Sequence, residues 1–254
     1  MQYQVLPPDG ELKDIISHFW VGTWNPEYQS PNSSYYIIAN SLTEITFAFE
    51  SDAPRSKLLF SVVQGHTNTP NQFPVNGFYH LIGVSIYSYA ISNLFNISAS
   101  ELNNQFISLN TFLGSEGAIL TEKVALATST KERLSAITRF FKSLIEKHWY
   151  KDKLITNAIQ EIKKCNGNTK ISKLASDFCI SQKQFERRFK EFSGFNPKMY
   201  SRIIRFESII RKSNSQSVLE EAAYTNGYYD QAHFIHDFKA FTGFNPSDFY
   251  KLGS

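Results

Sequence analysis

Between residues 182 and 190 the chain reads QKQFERRFK, which sets Gln182, Lys183, Glu186 and Arg187 ahead of Arg188 and Lys190. These side chains suit hydrogen-bond readout rather than bond-making chemistry. Arginine forks onto guanine, glutamine pairs with adenine and glutamate accepts from cytosine, while cations beside that surface meet phosphate. The chain then repeats itself 49 residues on: FERRFKEFSGFNPKMY at 185–200 and FIHDFKAFTGFNPSDF at 234–249 share eight of sixteen positions. In the second copy Gln231, Ala232, His233, Ile235 and His236 take the corresponding places, with Asp237 close by, so this copy carries less positive charge.

Residues of this kind read a groove only if something presents them, and the spacing predicts what that is. Phe185, Phe189 and Phe192 fall at i, i+4 and i+7, as do Phe234, Phe238 and Phe241, so each copy is a helix with an aromatic stripe to bury. Gly194 and Gly243 stop these helices, and Asn196-Pro197 and Asn245-Pro246 start the next ones. Upstream, Ile171 to Phe178 forms a short helix, Cys179-Ile180 a turn and Ser181 an N-cap. For the second copy, Ser217 with Glu220 makes a capping box, Leu219, Ala222 and Ala223 a packing face, Gly227-Tyr228 a turn and Asp230 a cap. Two short helices on a tight turn make a helix-turn-helix, with units at 171–193 and 218–242. Lys198 to Lys212 links them as a stiff helix with Ile203, Phe206 and Ile210 inward and Arg202, Arg205 and Arg211 outward. Two such units on one spacer would reach successive major-groove segments about 34 Å apart, a bipartite site.

Charge follows the same division. Residues 1–149 hold 9 Lys+Arg against 12 Asp+Glu, a balance of −3; the remainder holds 17 against 11, or +6, and 183–212 alone has 9 against 3. A basic segment beside a mildly acidic one points to a polyanion-binding module, and equally to a solvated basic helix face.

The segments LASDFCISQKQFERRFKEFSGFNP and EEAAYTNGYYDQAHFIHDFKAFTGFNPSDFY resemble the DNA-binding domain of the AraC/XylS family of bacterial transcription regulators. The resemblance implies base-reading positions at Gln182, Lys183, Glu186, Arg187, Gln231, Ala232 and His236. Ser181, Arg188, Lys190 and Lys239 are the expected phosphate partners. Where the family commonly has arginine in its second recognition helix, this chain has His236. Residues 1–145 are more loosely similar to the N-terminal region of one group of these regulators, through PPDGELKDIISHFW and ISASELNNQFISLNTFLGS, which implies an effector-sensing or dimerising module related to cupin-like barrels.

The residues themselves predict an α+β multidomain chain, with a β-rich domain over 1–149 and an all-α double helix-turn-helix domain over 150–254. Glu44 to Phe49 alternates with Ile45, Phe47 and Phe49 on one face; Lys57 to Val63 and Phe78 to Tyr87 are aromatic and β-branched, and Pro-, Asn- and Gly-bearing breaks separate them. Leu102, Phe106, Leu109 and Leu113, behind a Ser98/Glu101 capping box, predict a helix from about Ala99. A longer helix over 131–149 repeats Leu134, Ile137, Phe141, Leu144 and His148 behind Ser129 and Glu132; its stripe could pack on its own domain or on a second subunit. Trp20, Trp24, Tyr35, Tyr36, Phe47 and Phe49 either line an apolar pocket or fill a core.

Several classes drop out. Two cysteines, Cys165 and Cys179, cannot build a four-thiolate metal site or a disulfide scaffold, and His66 and His80 are isolated, so neither metal nor cofactor is expected. No apolar run reaches the roughly 18–20 residues needed to cross a bilayer, and the opening residues lack a secretory pattern, so the expectation is a cytoplasmic protein without membrane contact. Glycine-loop, nucleophile-elbow and zinc-protease signatures are missing, so no enzyme is expected. Double-stranded DNA is the expected partner, with RNA polymerase, a small-molecule effector and a second copy of the chain as further candidates. Two alternatives stand beside this: a protein-interaction adaptor, and a DNA-repair methyl acceptor using a cysteine, although Cys179, expected to be a small buried thiol in its turn, has no neighbouring cation to activate it.

Overall fold

The computed structural model describes residues 2–25, 34–75, 77–148, 152–212 and 227–251. The chain divides into two compact units, one of residues 1–35, 42–66 and 73–150, the other of 36–41, 67–72 and 151–254.

In the first unit six strands form one antiparallel sheet, in the order β1 (Gln2–Leu6), β2 (Ile16–Trp24), β7 (Tyr79–Tyr87), β4 (Leu42–Phe49), β5 (Leu58–Gln64) and β8 (Phe106–Ser108). Strands β3 (Ser34–Ile37) and β6 (Asn71–Pro74) pair separately. Strand alternation gives the large sheet two faces. Ile45 and Phe47 lie opposite Val84 and Ile82 across β4–β7, and all four are fully buried. Against this side pack α1 (Ser88–Phe95) and α4 (Thr130–His148), the latter through Ile137, Phe141 and Leu144. Burying each such side chain contributes roughly 1.5–3 kcal/mol. The α4 stripe is thus spent within its own unit. Arg133, on the same helix, is buried with its guanidinium 3.7 Å from the ring centre of Phe49, a cation–π contact in place of a carboxylate. Lys142 reaches Asp9 and Glu11 at 3.0 and 3.1 Å, exposed pairs of little energetic weight.

One predicted helix is corrected. The Ser98/Glu101 capping box forms, but it caps a single 3-10 turn at Ala99–Leu102. Asn104 then takes a left-handed φ of 59°, and the chain turns into β8 alongside β5 instead of continuing as a helix. Apolar residues at 106 and 109 carry a helical spacing, but pairing across the sheet decides their conformation. Short helices α2 (Leu109–Leu113) and α3 (Ser115–Leu126) follow before α4.

The second unit is helical: α5 (Lys153–Lys164), α6 (Ile171–Asp177), α7 (Gln182–Ser193), α8 (Pro197–Lys212), α9 (Gln231–Thr242) and α10 (Pro246–Lys251). The internal repeat is also a repeat of packing. Phe185 and Phe189 lie 5.5 Å apart and Phe189 meets Tyr200 of α8 edge-on at 5.4 Å; Phe234 and Phe238 lie 5.6 Å apart and Phe238 meets Phe249 of α10 at 5.4 Å. Beyond each helix a hydroxyl closes the same turn, Ser193 Oγ donating to the carbonyl of Phe195 and Thr242 Oγ1 to that of Phe244. Phe206 of α8 then bridges to Phe238 and Phe241 at 5.7 and 5.3 Å.

His66 is completely buried beside Thr43 Oγ1 at 3.3 Å, and burial pushes its imidazole down to about 3. A ring held neutral in the fold but free to protonate in the unfolded chain withdraws stability as pH falls below about 6.5, by up to about 1.4 kcal/mol per pH unit until about 3. Urea unfolding at pH 7 and pH 5 should therefore differ by about 2 kcal/mol more for the native chain than for His66→Gln.

Candidate nucleic-acid interface

Helix α7 begins with a complete capping box: Ser181 Oγ accepts from the Gln184 amide at 3.3 Å, and Gln184 Oε1 accepts from the Ser181 amide at 3.4 Å. It ends at Gly194 with φ 81°, a conformation that glycine adopts without penalty. Between these limits Phe185 and Phe189 are buried, while Phe192 is only half-buried. Gln182, Lys183 and Arg187 are exposed, and Gln182 Nε2 donates to Glu186 Oε1 at 2.8 Å. These four lie on the first two turns of one helix, Lys183 and Arg187 opposite the aromatic stripe and Gln182 and Glu186 on its flank. Ser181 and Lys190 are exposed at its two ends. Arg188 is tied to α5: its Nε donates to Asp152 Oδ2 at 2.7 Å, and Asp152, buried, also caps α5 through Oδ1 and the Ile155 amide.

Helix α9 is built similarly. Asp230 Oδ1 accepts from the His233 amide at 2.7 Å, and Gly243 ends the helix with φ 82°. Gln231, Ala232, Ile235, His236 and Lys239 are exposed; Phe234, Phe238 and Phe241 are buried. The helix expected in front of it, with Ser217, Leu219, Glu220, Ala222 and Ala223, lies outside the described residues.

Asp237, noted in the sequence only as a nearby acid, lies at the base of α9, almost fully buried. Arg202 of α8 grips it with two donors, Nη2 to Oδ1 at 2.6 Å and Nε to Oδ2 at 3.3 Å. The carboxylate in turn holds the Arg202 guanidinium above its ordinary value. Arg205 likewise turns toward its own unit, donating to the Gly167 carbonyl at 3.1 Å and lying over the Tyr228 ring. The outward direction expected for Arg202 and Arg205 is therefore corrected: only Arg211, paired with Glu207 at 3.4 Å, is exposed. Tyr229, which sequence reading passed over, stands 90% exposed just ahead of α9; an aromatic one residue before a cap carries no periodic signal.

Cys179 also departs from expectation. It takes φ 55° in the α6–α7 turn, and its thiol is exposed rather than buried. Left-handed backbone there reverses the chain in the place where glycine is usual.

The first unit holds a cavity of about 450 Å³ on the sheet face opposite α4. Trp20, Trp24 and Tyr35 line it, as the pocket reading of the aromatics has it, whereas Phe47 and Phe49 are core and Tyr36 lies in the second unit against Phe244. Beneath it Gly83 lies between Thr46 and Trp20 across the strands, and a Cβ on Gly83 would strike the Trp20 indole at 2.2 Å. Tyr3, Phe60 and Phe106, each about half exposed, stand among its walls. Glu44, which the alternation put on the polar side of β4, faces this cavity instead of water. His66 and His80 are both buried, and no group of three or more metal-ligating side chains occurs among the described residues. Among them, too, no helix is long and apolar enough to cross a membrane.

Residues 174–251 match a helix-turn-helix domain family, and residues 4–108 match a domain family of unknown function. No curated protein matches the chain by sequence. Among solved structures the chain is similar to ToxT from Vibrio cholerae O395, with 14% identity and a TM-score of 0.50 over 92% of this chain and 97% of that one. It is also similar to ToxT from Vibrio cholerae strain SCE256 bound to an unsaturated fatty acid, with 13% identity and a TM-score of 0.51 over 92% and 95%. At such identities the likeness is one of fold: a β-rich unit followed by a helical helix-turn-helix region.

The buried pair on α9 sets a stability test. Asp237→Ala strands the Arg202 guanidinium, at a cost of about 3 kcal/mol for a largely buried pair, whereas an Arg202→Met/Asp237→Leu double variant removes both charges and recovers most of the loss. Thermal unfolding of the three proteins measures this; equal losses in both variants would assign the cost to packing.

Proposed function

We propose, from the premise that this chain is AraC/XylS-type through the helix-turn-helix domain at 174–251, that it is a transcription regulator whose two recognition helices read a bipartite site on duplex DNA under the control of its β-rich unit. The observation that carries the reading is the exposed row Gln182, Lys183 and Arg187 on the first turns of a helix whose opposite face is locked by phenylalanines. A helix so presented enters a major groove with its N-terminal residues toward base edges. In this reading Arg187 forks onto guanine, Gln182 and Lys183 contact neighbouring base edges, and Glu186, already accepting from Gln182, limits which base is tolerated beside it. Gln231, Ala232 and His236 read the second half-site with shorter and less charged side chains. Ser181, Lys190 and Lys239 meet phosphates. Arg188, with its Nε engaged by Asp152, has its remaining donors for the same task and also fixes α7 on α5.

The apolar cavity makes the first unit an effector site in this reading. The fatty-acid-bound state of the structurally similar ToxT supports that by analogy of fold. RNA polymerase and a second copy of the chain belong to the same proposal as further partners; the α4 stripe, buried in its own unit, is not the surface for the second copy.

Selection of bound duplexes from random fragments, followed by fluorescence anisotropy, tests the reading. Affinity should fall with salt at a log–log slope of about −0.9 per phosphate contact, and a chain that binds no duplex at low salt would be the adaptor instead. Arg187→Ala should lower specific affinity by about 1–3 kcal/mol and relax preference at a single base pair. Uniform weakening on every sequence would move Arg187 to phosphate contact. Alanine at Gln231 or His236 should cost less than alanine at Lys183 or Arg187, and the reverse ranking would refute the proposed division of labour.

A further inference from the structure

The cavity of the first unit has a polarity as well as a size. Its floor runs in rows across the sheet. In one row Val62 of β5, Thr46 of β4, Gly83 of β7 and Trp20 of β2 lie side by side; two residues along β4, the next same-face row joins Gln64, Glu44, Ser85 and His18. The second row is polar throughout. Ser85 Oγ donates to Glu44 Oε1 at 2.9 Å and lies 3.3 Å from His18 Nε2. Glu44 and Gln64 line the cavity, so the carboxyl meets a chamber whose other walls, Thr46 apart, are aromatic and aliphatic side chains.

Among the described residues no lysine or arginine lines the cavity, and His18, at the end of the polar row, meets Ser85. Enclosure away from water holds the Glu44 carboxyl above the usual range, and Tyr35, also at the cavity, is pushed up by burial and by Glu44.

A buried carboxyl with no lysine or arginine in its lining is satisfied best by a ligand that brings a cation. We propose that this cavity takes a hydrophobic amine, its apolar body against Trp20, Phe60, Phe73 and Leu81 and its ammonium group at Glu44, and that it discriminates against ligands ending in a carboxylate. A carboxylate would meet Glu44 as a like charge with no lysine or arginine in the lining to bridge them, whereas an ammonium pairs with Glu44 and leaves Gln64 and Ser85 as neutral neighbours. The first unit thus shares a fold with a protein that has been seen with a fatty acid, while its own cavity is built for the opposite charge. This inference rests on the effector-site reading above.

Three probes of equal length separate the possibilities: decylamine, decanol and decanoate, each titrated into the full chain below its micellar concentration and followed by tryptophan fluorescence and calorimetry. The native chain should bind decylamine at one site at least ten-fold more tightly than decanoate. Glu44→Gln, whose folding is checked by circular dichroism, should bring the two within about two-fold of each other. Decanoate binding as tightly as decylamine in the native chain, or an amine preference unchanged in Glu44→Gln, would overturn the charge assignment and leave the effector site standing. If none of the three binds, decanol included, the effector-site reading falls with it.

Discussion

A twelve-residue helix is too short to persist in water by its own hydrogen bonds, so each recognition helix exists only because one face is bound to something else. Here that something is a ladder of aromatic rings. Phe185 and Phe189 on α7, and Phe234, Phe238 and Phe241 on α9, are all essentially inaccessible; Tyr200 and Phe249 come from the helices that follow each, and Phe206 from α8, which precedes α9. Burying two phenylalanines of α7 and three of α9 dictates what remains outside: Gln182, Lys183, Arg187, Gln231 and His236 stay exposed and available to a groove.

The two copies share this frame but differ in what anchors them laterally. Helix α7 is held through a partly exposed arginine of its own, Arg188, reaching a buried aspartate on α5. Helix α9 reverses the arrangement: it contributes the buried acid, Asp237, and receives an arginine from α8. The second helix therefore keeps a negative charge beneath its outer surface, balanced by an arginine that α8 supplies. His233 and His236 lie within 4 Å of that carboxylate. The weaker electrostatic pull expected of the second copy follows from this placement as much as from its composition.

In the first unit one sheet does two unlike jobs because successive residues of a strand face opposite ways. Ile45 and Phe47 close the core against α4, while Glu44 and Thr46, their immediate neighbours, line a chamber. That chamber stays open because the middle of the sheet is small on that side. Gly83 lets the Trp20 indole pack closely over β7.

Local order in this protein was written in the sequence wherever a residue acts on its own neighbours. Ser181 with Gln184, Asp230, Gly194, Gly243 and the Asn-Pro pairs determine where the helices of the second unit begin and end, and the repeat of phenylalanines determines which face each buries, because caps and periodicity operate within a few residues of chain. The direction of Arg202 and Arg205, the strand at Phe106–Ser108 and the exposed thiol of Cys179 were not legible there. Each depends on a partner far along the chain or on a backbone angle imposed by packing: Asp237 for Arg202, Gly167 and Tyr228 for Arg205, β5 for β8. Glu44 makes the same point most sharply. Alternation alone could say that it leaves the core, but only the assembled sheet, with Trp20, Trp24 and Tyr35 arranged around it, decided that the space it enters is a chamber lined mainly by apolar side chains, where a charge is felt strongly.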